Sequence, residues 1–258
     1  MLFAHQIRRL SKILLLGLFI LYGLYHSMAQ AEIWHSTKTD GMNDVAIAPN
    51  GIIWLTDRNG AIWMSDNIYG SSFTLIKPGG FGRIAVAPDN VVWATGIDDS
   101  LWKFTSGNWT EVAENGIVDI AVAPDGKVWL VKRNGAISFS ADQGKNFTQI
   151  AGDGFNRISV APDGTVWLVG TNGVLWKFAK EKWIQTTANG IGDVAIAPNG
   201  LIWLAAKNGA VWSSSDDGVT FSRDEHANGI ENIAAGRSGA WAVSLNGTLW
   251  RKLFSPQF

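Results

Sequence analysis

The sequence predicts an all-β fold: a six-bladed β-propeller of four-stranded antiparallel blades, closed by its N-terminal strand in the last blade. Three observations lead there. A unit of 36 to 39 residues recurs from about residue 33 to residue 253, each unit alternates apolar and other residues in short runs, and the 258 residues include 29 Gly and 14 Trp but no Cys.

The first run of each unit is the clearest marker. Asp44-Val-Ala-Ile-Ala-Pro-Asn-Gly51, Arg83-Ile-Ala-Val-Ala-Pro-Asp-Asn90, Asp119-Ile-Ala-Val-Ala-Pro-Asp-Gly126, Arg157-Ile-Ser-Val-Ala-Pro-Asp-Gly164 and Asp193-Val-Ala-Ile-Ala-Pro-Asn-Gly200 align without gaps. A sixth copy, Asn232-Ile-Ala-Ala-Gly-Arg-Ser-Gly239, carries Arg237 where the others have proline. This run reads as the first strand, ended by a Pro-Asn-Gly or Pro-Asp-Gly turn. The second strand holds the Trp of a first column: Trp54, Trp93, Trp129, Trp167, Trp203 and Trp241.

Asn-Gly at 59–60, 134–135, 172–173, 208–209 and 246–247 then reads as a two-residue hairpin with positive φ. Asp98-Asp99 takes its place in the second unit, which predicts a different or strained turn there. The third strand holds a second Trp column (Trp63, Trp102, Trp176, Trp212, Trp250), broken by Ser138, and a fourth strand starts at Phe73, Trp109, Phe147, Trp183 or Phe221.

The ends fit a closed ring. Trp34 lies 15 residues before Pro49, the spacing of Trp109, Phe147 and Trp183 from their next prolines, so Ile33-Trp-His-Ser36 is a fourth strand without a blade. The last unit stops after its third strand near Leu253, and pairing the two would remove both exposed edges. A second period doubles the first: blades one, three and five begin with Asp, blades two, four and six with Arg, Arg and Asn. Odd blades also join strands three and four through Ser140-Ala-Asp-Gln-Gly-Lys-Asn-Phe147, Ser214-Ser-Asp-Asp-Gly-Val-Thr-Phe221 and a longer version from Ser65 to Phe73.

Composition bounds function. With 47% apolar and 17% charged residues the chain is not disordered, and without Cys it is neither a disulfide scaffold nor a Cys-ligated metal protein. A formal charge of −1 offers nothing to nucleic acid. Arg8, Arg9 and Lys12 precede the apolar run Ile13 to Tyr25, and Ala29-Gln30-Ala31 offers small residues for a peptidase, so residues 1–31 read as a secretory signal peptide and residues 32–258 as the propeller. Removing those three basic residues from the chain's 21 leaves 18 against 22 acidic, a formal charge of −4. The expected location is secreted or periplasmic, with no membrane insertion after cleavage.

The recurrent Ile-Ala-Val-Ala-Pro-Asp-Gly-x-Val-Trp, followed by Asn-Gly-x-Leu-Trp-Lys-Phe, resembles the tectonin repeat over essentially all of residues 33–253. That resemblance implies a six-bladed propeller with a shared last blade and, as in several such lectins, glycans bound in clefts between blades. The Ser-x-Asp-x-Gly-x-Thr-Phe segments resemble the Asp-box of sialidases and some propeller lectins, where the box stabilises a turn remote from the active site.

Candidate site residues come from the recurring polar and aromatic positions. Asp44, Asp119 and Asp193 alternate with Arg83 and Arg157 at the entrance to the innermost strands, and are expected at one end of the central channel, either as an ion-paired collar or as partners for a hydroxyl-rich ligand. Asn115 and Asn189, in the loops leading to Asp119 and Asp193, join them. Trp102, Trp176 and Trp250 are the aromatic candidates, because an indole stacks on a sugar face as readily as it fills a wedge between blades. The expected clefts lie between an even blade and the following odd blade. Asp142 and Asp216 are read as turn stabilisers.

Catalysis has little support. An Asp-box sialidase needs a tyrosine nucleophile, and beyond residue 31 the only Tyr is Tyr69, in a hairpin turn. His35 and His226 make no metal-ligand or Ser/His/Asp spacing, the glutamates pair at no recurring position, and no cofactor or metal is expected. The sequence therefore reads as an exported, non-enzymatic propeller that binds glycans or surface polysaccharide. The alternative is a protein-interaction scaffold or a subunit of a periplasmic or surface assembly.

Overall fold

The structure, a computed structural model, describes residues 33–237 and 239–253; the segment read as a signal peptide lies outside the described residues. Six four-stranded antiparallel sheets form the six blades. Blade 1 contains β2 (Met42–Ile47), β3 (Ile53–Asp57), β4 (Ile62–Ser65) and β5 (Phe73–Lys77); blade 2 contains β6 (Phe81–Val86), β7 (Val92–Gly96), β8 (Ser100–Thr105) and β9 (Asn108–Asn115). Blade 3 is β10 (Ile117–Val122), β11 (Val128–Lys132), β12 (Ile137–Ser140) and β13 (Thr148–Ala151); blade 4 is β14 (Phe155–Val160), β15 (Val166–Gly170), β16 (Leu175–Ala179) and β17 (Lys182–Gln185). Blade 5 is β18 (Ile191–Ile196), β19 (Ile202–Ala206), β20 (Val211–Ser214) and β21 (Ser222–Asp224). Blade 6 joins β22 (Ile230–Ala235), β23 (Gly239–Ser244) and β24 (Leu249–Leu253) to β1 (His35–Ser36).

Closure is by the N-terminal strand, as the spacing of Trp34 requires. His35 pairs with Arg251 and Ser36 with Trp250, and the buried Trp34 donates its indole N–H to Asp224 Oδ2 at 3.0 Å. Its ring meets Trp203 edge to face, with centroids 6.0 Å apart.

The Asn-Gly turns differ from the two-residue hairpins expected of them. Only the glycine has positive φ, as at Gly60 (+78°), and the turn bond runs from the Gly60 N–H to the Asp57 carbonyl. This is a three-residue loop, a type I turn whose last residue is left-handed. The turn at Asp98-Asp99 is the same one, because Asp99 adopts φ +67° in the glycine's place and its N–H bonds the Gly96 carbonyl. Asp is among the few side chains that tolerate this region.

Apolar residues from adjacent blades meet in six clusters, one at each blade interface. The first Trp column is buried, from Trp167 at 1% exposure to Trp129 at 8%, and each indole faces the following blade. These Trp residues are packing elements, and their size suits a wedge that widens outward from the axis.

Candidate functional site

The first strands of neighbouring blades contact one another around the axis, so their side chains line the central channel. Each of these strands carries a register shift at its collar position, for example between Met42 and Asp44, Ile117 and Asp119, and Ile191 and Asp193. A bulge of this kind re-aims a side chain. Here it turns the three aspartates toward the next blade: Asp44 Oδ2 accepts the Ile84 N–H at 2.9 Å, Asp119 Oδ2 the Ile158 N–H at 2.8 Å, and Asp193 Oδ2 the Ile233 N–H at 2.8 Å.

Arginines and Asn232 complete the ring. Arg83 Nη1 donates to Asp44 Oδ1 at 3.0 Å and to Asn232 Oδ1 at 2.5 Å, while Arg157 Nε lies 3.7 Å from Asp193 Oδ1. Burial pushes Asp119 up to about 6, against the pull of Arg83 and Arg157, and burial likewise raises Asp193. Burial lowers the affinity of Arg83 for its proton, but Asp44, Asp119 and Asp193 together outweigh it and leave the guanidinium above its ordinary range. The paired side chains Arg83, Asp44, Arg157 and Asp193 are only 10% to 23% exposed, so the collar is a polar plug at this end of the channel.

The other interfaces use a different device. In the Asp-boxes, Asp142 Oδ1 accepts from Ser140 Oγ and from the Asn146 N–H, and Asp216 binds Thr220 and Ser214 in the same way. Side-chain bonds from Asn146 and Thr220, backbone bonds from the same residues and further bonds from Ser140 and Ser214 hold both carboxyls below the usual range. The turns so fixed press Gly70, Gly144 and Gly218 onto Trp241, Trp93 and Trp167 of the preceding blade. A cation from the same even blade then reaches the carbonyl just before each glycine: Arg251 to Tyr69, Lys103 to Gln143 and Lys177 to Asp217. The aspartate-to-N–H bonds of the collar thus join odd blades to even ones, and the Asp-boxes join even blades to odd ones, where the collar adds Arg157–Asp193 and the Asn232 bond to the Asn43 carbonyl.

The remaining sequence candidates fall in three places. Trp102, Trp176 and Trp250 are half-buried, but they lie in the clusters shared with the preceding odd blade, Trp102 with Trp54 and Ile62, Trp176 with Trp129 and Ile137, and Trp250 with Trp203 and Val211. The expectation that Trp102, Trp176 and Trp250 line the clefts toward the following blade is therefore corrected. Leu101 and Lys103 face that side, since neighbouring strand residues point oppositely. Asn115, the last residue of β9, and Asn189, in the connection that enters blade 5, are both exposed.

Two cavities of about 500 Å³ open at the end of the channel opposite the collar. One is the channel mouth, where Ile47, Val86, Val122, Val160 and Ile196 finish the innermost strands inside a rim of the five repeat prolines and Arg237. The other lies between blades 4 and 5. Its apolar lining is Pro162, Trp167, Pro198 and Leu201, and its polar lining is Asp163, Asn199, Ser215 and Asp217. Lys177 Nζ sits 2.6 Å from Asp217 Oδ2. At the matching cleft of blades 2 and 3, Lys127 and Gln143 replace Leu201 and Asp217; at that of blades 6 and 1, Ile52 and Tyr69 do. The sequence signal for these places was modest: one proline of six lost at Arg237, and turn residues that differ among odd blades.

A family model described as the tectonin domain matches residues 116–257. No curated protein matches the chain. Among solved structures the chain is similar to YCF48 bound to a D1 peptide, at 19% identity over 83% of this chain and 79% of that one, with TM-score 0.59. It is also similar to the gluconolactonase XC5397 from Xanthomonas campestris, at 11% identity over 88% and 92%, TM-score 0.70. A third likeness is to virginiamycin B lyase from Staphylococcus aureus, at 15% identity over 87% and 88%, TM-score 0.58. At these identities the likeness is one of fold.

Proposed function

The chain belongs to the tectonin family, and from that premise we propose that it is an exported, non-catalytic propeller that binds carbohydrate in the cleft between blades 4 and 5. The observation that carries this reading is the lining of that cleft. A pyranose presents an apolar face and a rim of hydroxyls, and the cleft sets an apolar floor of Pro162, Pro198 and Leu201 beside the carboxylate of Asp217, the amide of Asn199 and the hydroxyl of Ser215. Lys177 beside Asp217 supplies a donor to the same rim. The signal-like residues 1–31 support export, which would bring the cleft to extracellular polysaccharide.

The collar aspartates and arginines are not part of this reading, since the aspartates and Arg83 bond the neighbouring blades and Arg157 bonds the Asn156 carbonyl of its own strand. A second reading, a protein-interaction scaffold, draws on the apolar channel mouth and on the peptide bound by YCF48, a protein of similar fold. A glycan array, including bacterial surface polysaccharides, separates the two. The expected result is binding to a restricted set of glycans that Asp217→Ala and Asn199→Ala abolish without changing the circular dichroism spectrum. Binding that persists in both variants would place the glycan elsewhere, and no binding to any glycan would favour the scaffold.

A further inference from the structure

The channel mouth has a chemistry of its own. Its wall is formed by the last side chains of the six innermost strands, Ile47, Val86, Val122, Val160, Ile196 and Ala235, none of them polar. The collar lies three residues back along each strand, about 10 Å at the rise of a β-strand, and plugs the far end. What remains is a blind apolar well of about 500 Å³. Arg237 is the only charged side chain among the residues that line it.

Arg237 interrupts the column of prolines, in a turn one residue shorter than the other five. Five blades place proline there in a turn whose first N–H bonds the carbonyl four residues on, as Ala48 does to Ile52, whereas the Gly236 N–H bonds the Gly239 carbonyl three residues on; the shorter turn makes no use of the arginine side chain. Among the described residues the guanidinium takes no ion pair and no hydrogen bond, whereas Arg58, Arg83, Arg133, Arg157 and Arg251 all have partners. A single free guanidinium on the lip of an apolar well matches a single carboxylate on an apolar chain.

We propose that the channel mouth binds a small alkanoate, its alkyl chain in the well and its carboxylate on Arg237. The site is independent of the carbohydrate reading: Pro162, Ile196 and Pro198 border both cavities, but Arg237 belongs only to the mouth and Asp217 only to the cleft.

Calorimetric titration with hexanoate, octanoate and octanol tests it, on the whole chain and on Arg237→Ala, Arg237→Lys and Val122→Asp variants. Arg237 is exposed, so its variants fold. One octanoate per chain is expected, bound about fourfold more tightly for each added methylene, the factor that burial of a methylene gives. Arg237→Ala is expected to weaken octanoate about tenfold and leave octanol unchanged, Arg237→Lys to restore part of the loss, and Val122→Asp to abolish both. Asp217→Ala leaves octanoate binding intact. Equal octanoate affinity in the parent and Arg237→Ala, or no octanoate binding to the parent, overturns the proposal, whatever the glycan array returns.

Discussion

Gly144 lies flat against the indole of Trp93, so close that a Cβ on Gly144 would stand 2.7 Å from Cη2 of the ring. The Asp-box exists to deliver that contact. Its Ser140 and Asp142 fix the turn, the turn brings a residue without a side chain to the preceding blade, and Lys103 closes over it to the Gln143 carbonyl.

Replacing this glycine separates contact from backbone strain. Gly126 has nearly the same φ, +83° against +84°, but nothing within 4 Å of its Cβ position. Gly126→Ala is expected to cost about 1 to 2 kcal/mol, the left-handed penalty alone. Gly144→Ala should add about 1 to 3 kcal/mol more from overpacking against Trp93. Urea denaturation of the two variants compares them directly; equal losses would mean that the Asp-box turn is not an interface element.

The collar predicts a pH dependence. Asp119 holds its proton up to about pH 6 in the folded protein against 3.8 as its ordinary value, so between those values the native state binds more protons than the unfolded one. Stability from this group is complete below pH 4 and is lost as the pH rises through 6, by up to about 3 kcal/mol for a shift of this size. Asp119→Asn keeps an oxygen for the Ile158 N–H and removes the titration, so its stability should fall less over the same window. Chemical denaturation at pH 4.5 and 7 measures both slopes; parallel slopes refute the assignment.

Closure rests on one indole. Trp34→Ala removes a buried ring set edge to face on Trp203 and bonded to Asp224, a loss of about 3 to 5 kcal/mol. Deleting residues 32–38 should also expose the edge of β24 and promote self-association, visible by light scattering. An unchanged melting temperature in either variant would contradict closure through β1.

Glycan stoichiometry follows from the unlike clefts. The doubled repeat alone would give three sites per ring, but Lys127 with Gln143 and Ile52 with Tyr69 change the two clefts that match the one between blades 4 and 5. Calorimetry with a bound glycan should return one site per chain. A value near three would show that the aromatic and acidic lining is less selective than proposed.

Blade number, strand order and the shared last blade were legible because each blade repeats the same few signals, and a register fixed once is fixed six times. The hairpins were misread by one residue, since Asn-Gly marks where positive φ occurs but not how many residues enter the loop. Alternation put Trp102 and Lys103 on opposite faces of one strand, yet no local pattern says which face meets the next blade. The collar was legible as a ring of charges, whereas its bonds to the N–H groups of Ile84, Ile158 and Ile233 depend on bulges that appear only once the strands are paired. Arg237 stood out as a broken column, and its meaning waited on the well beside it.

The seam in blade 6 sets how the ring responds to force. His35 faces Arg251 and Ser36 faces Trp250, so the outer ends of β1 and β24 lie side by side and the two strands run antiparallel. Tension that draws these ends apart peels the pairs one after another, like a zipper, and never shears them together. A ring held together through its six interfaces can thus open at a low pulling force, at this seam first, with the other five blades still intact.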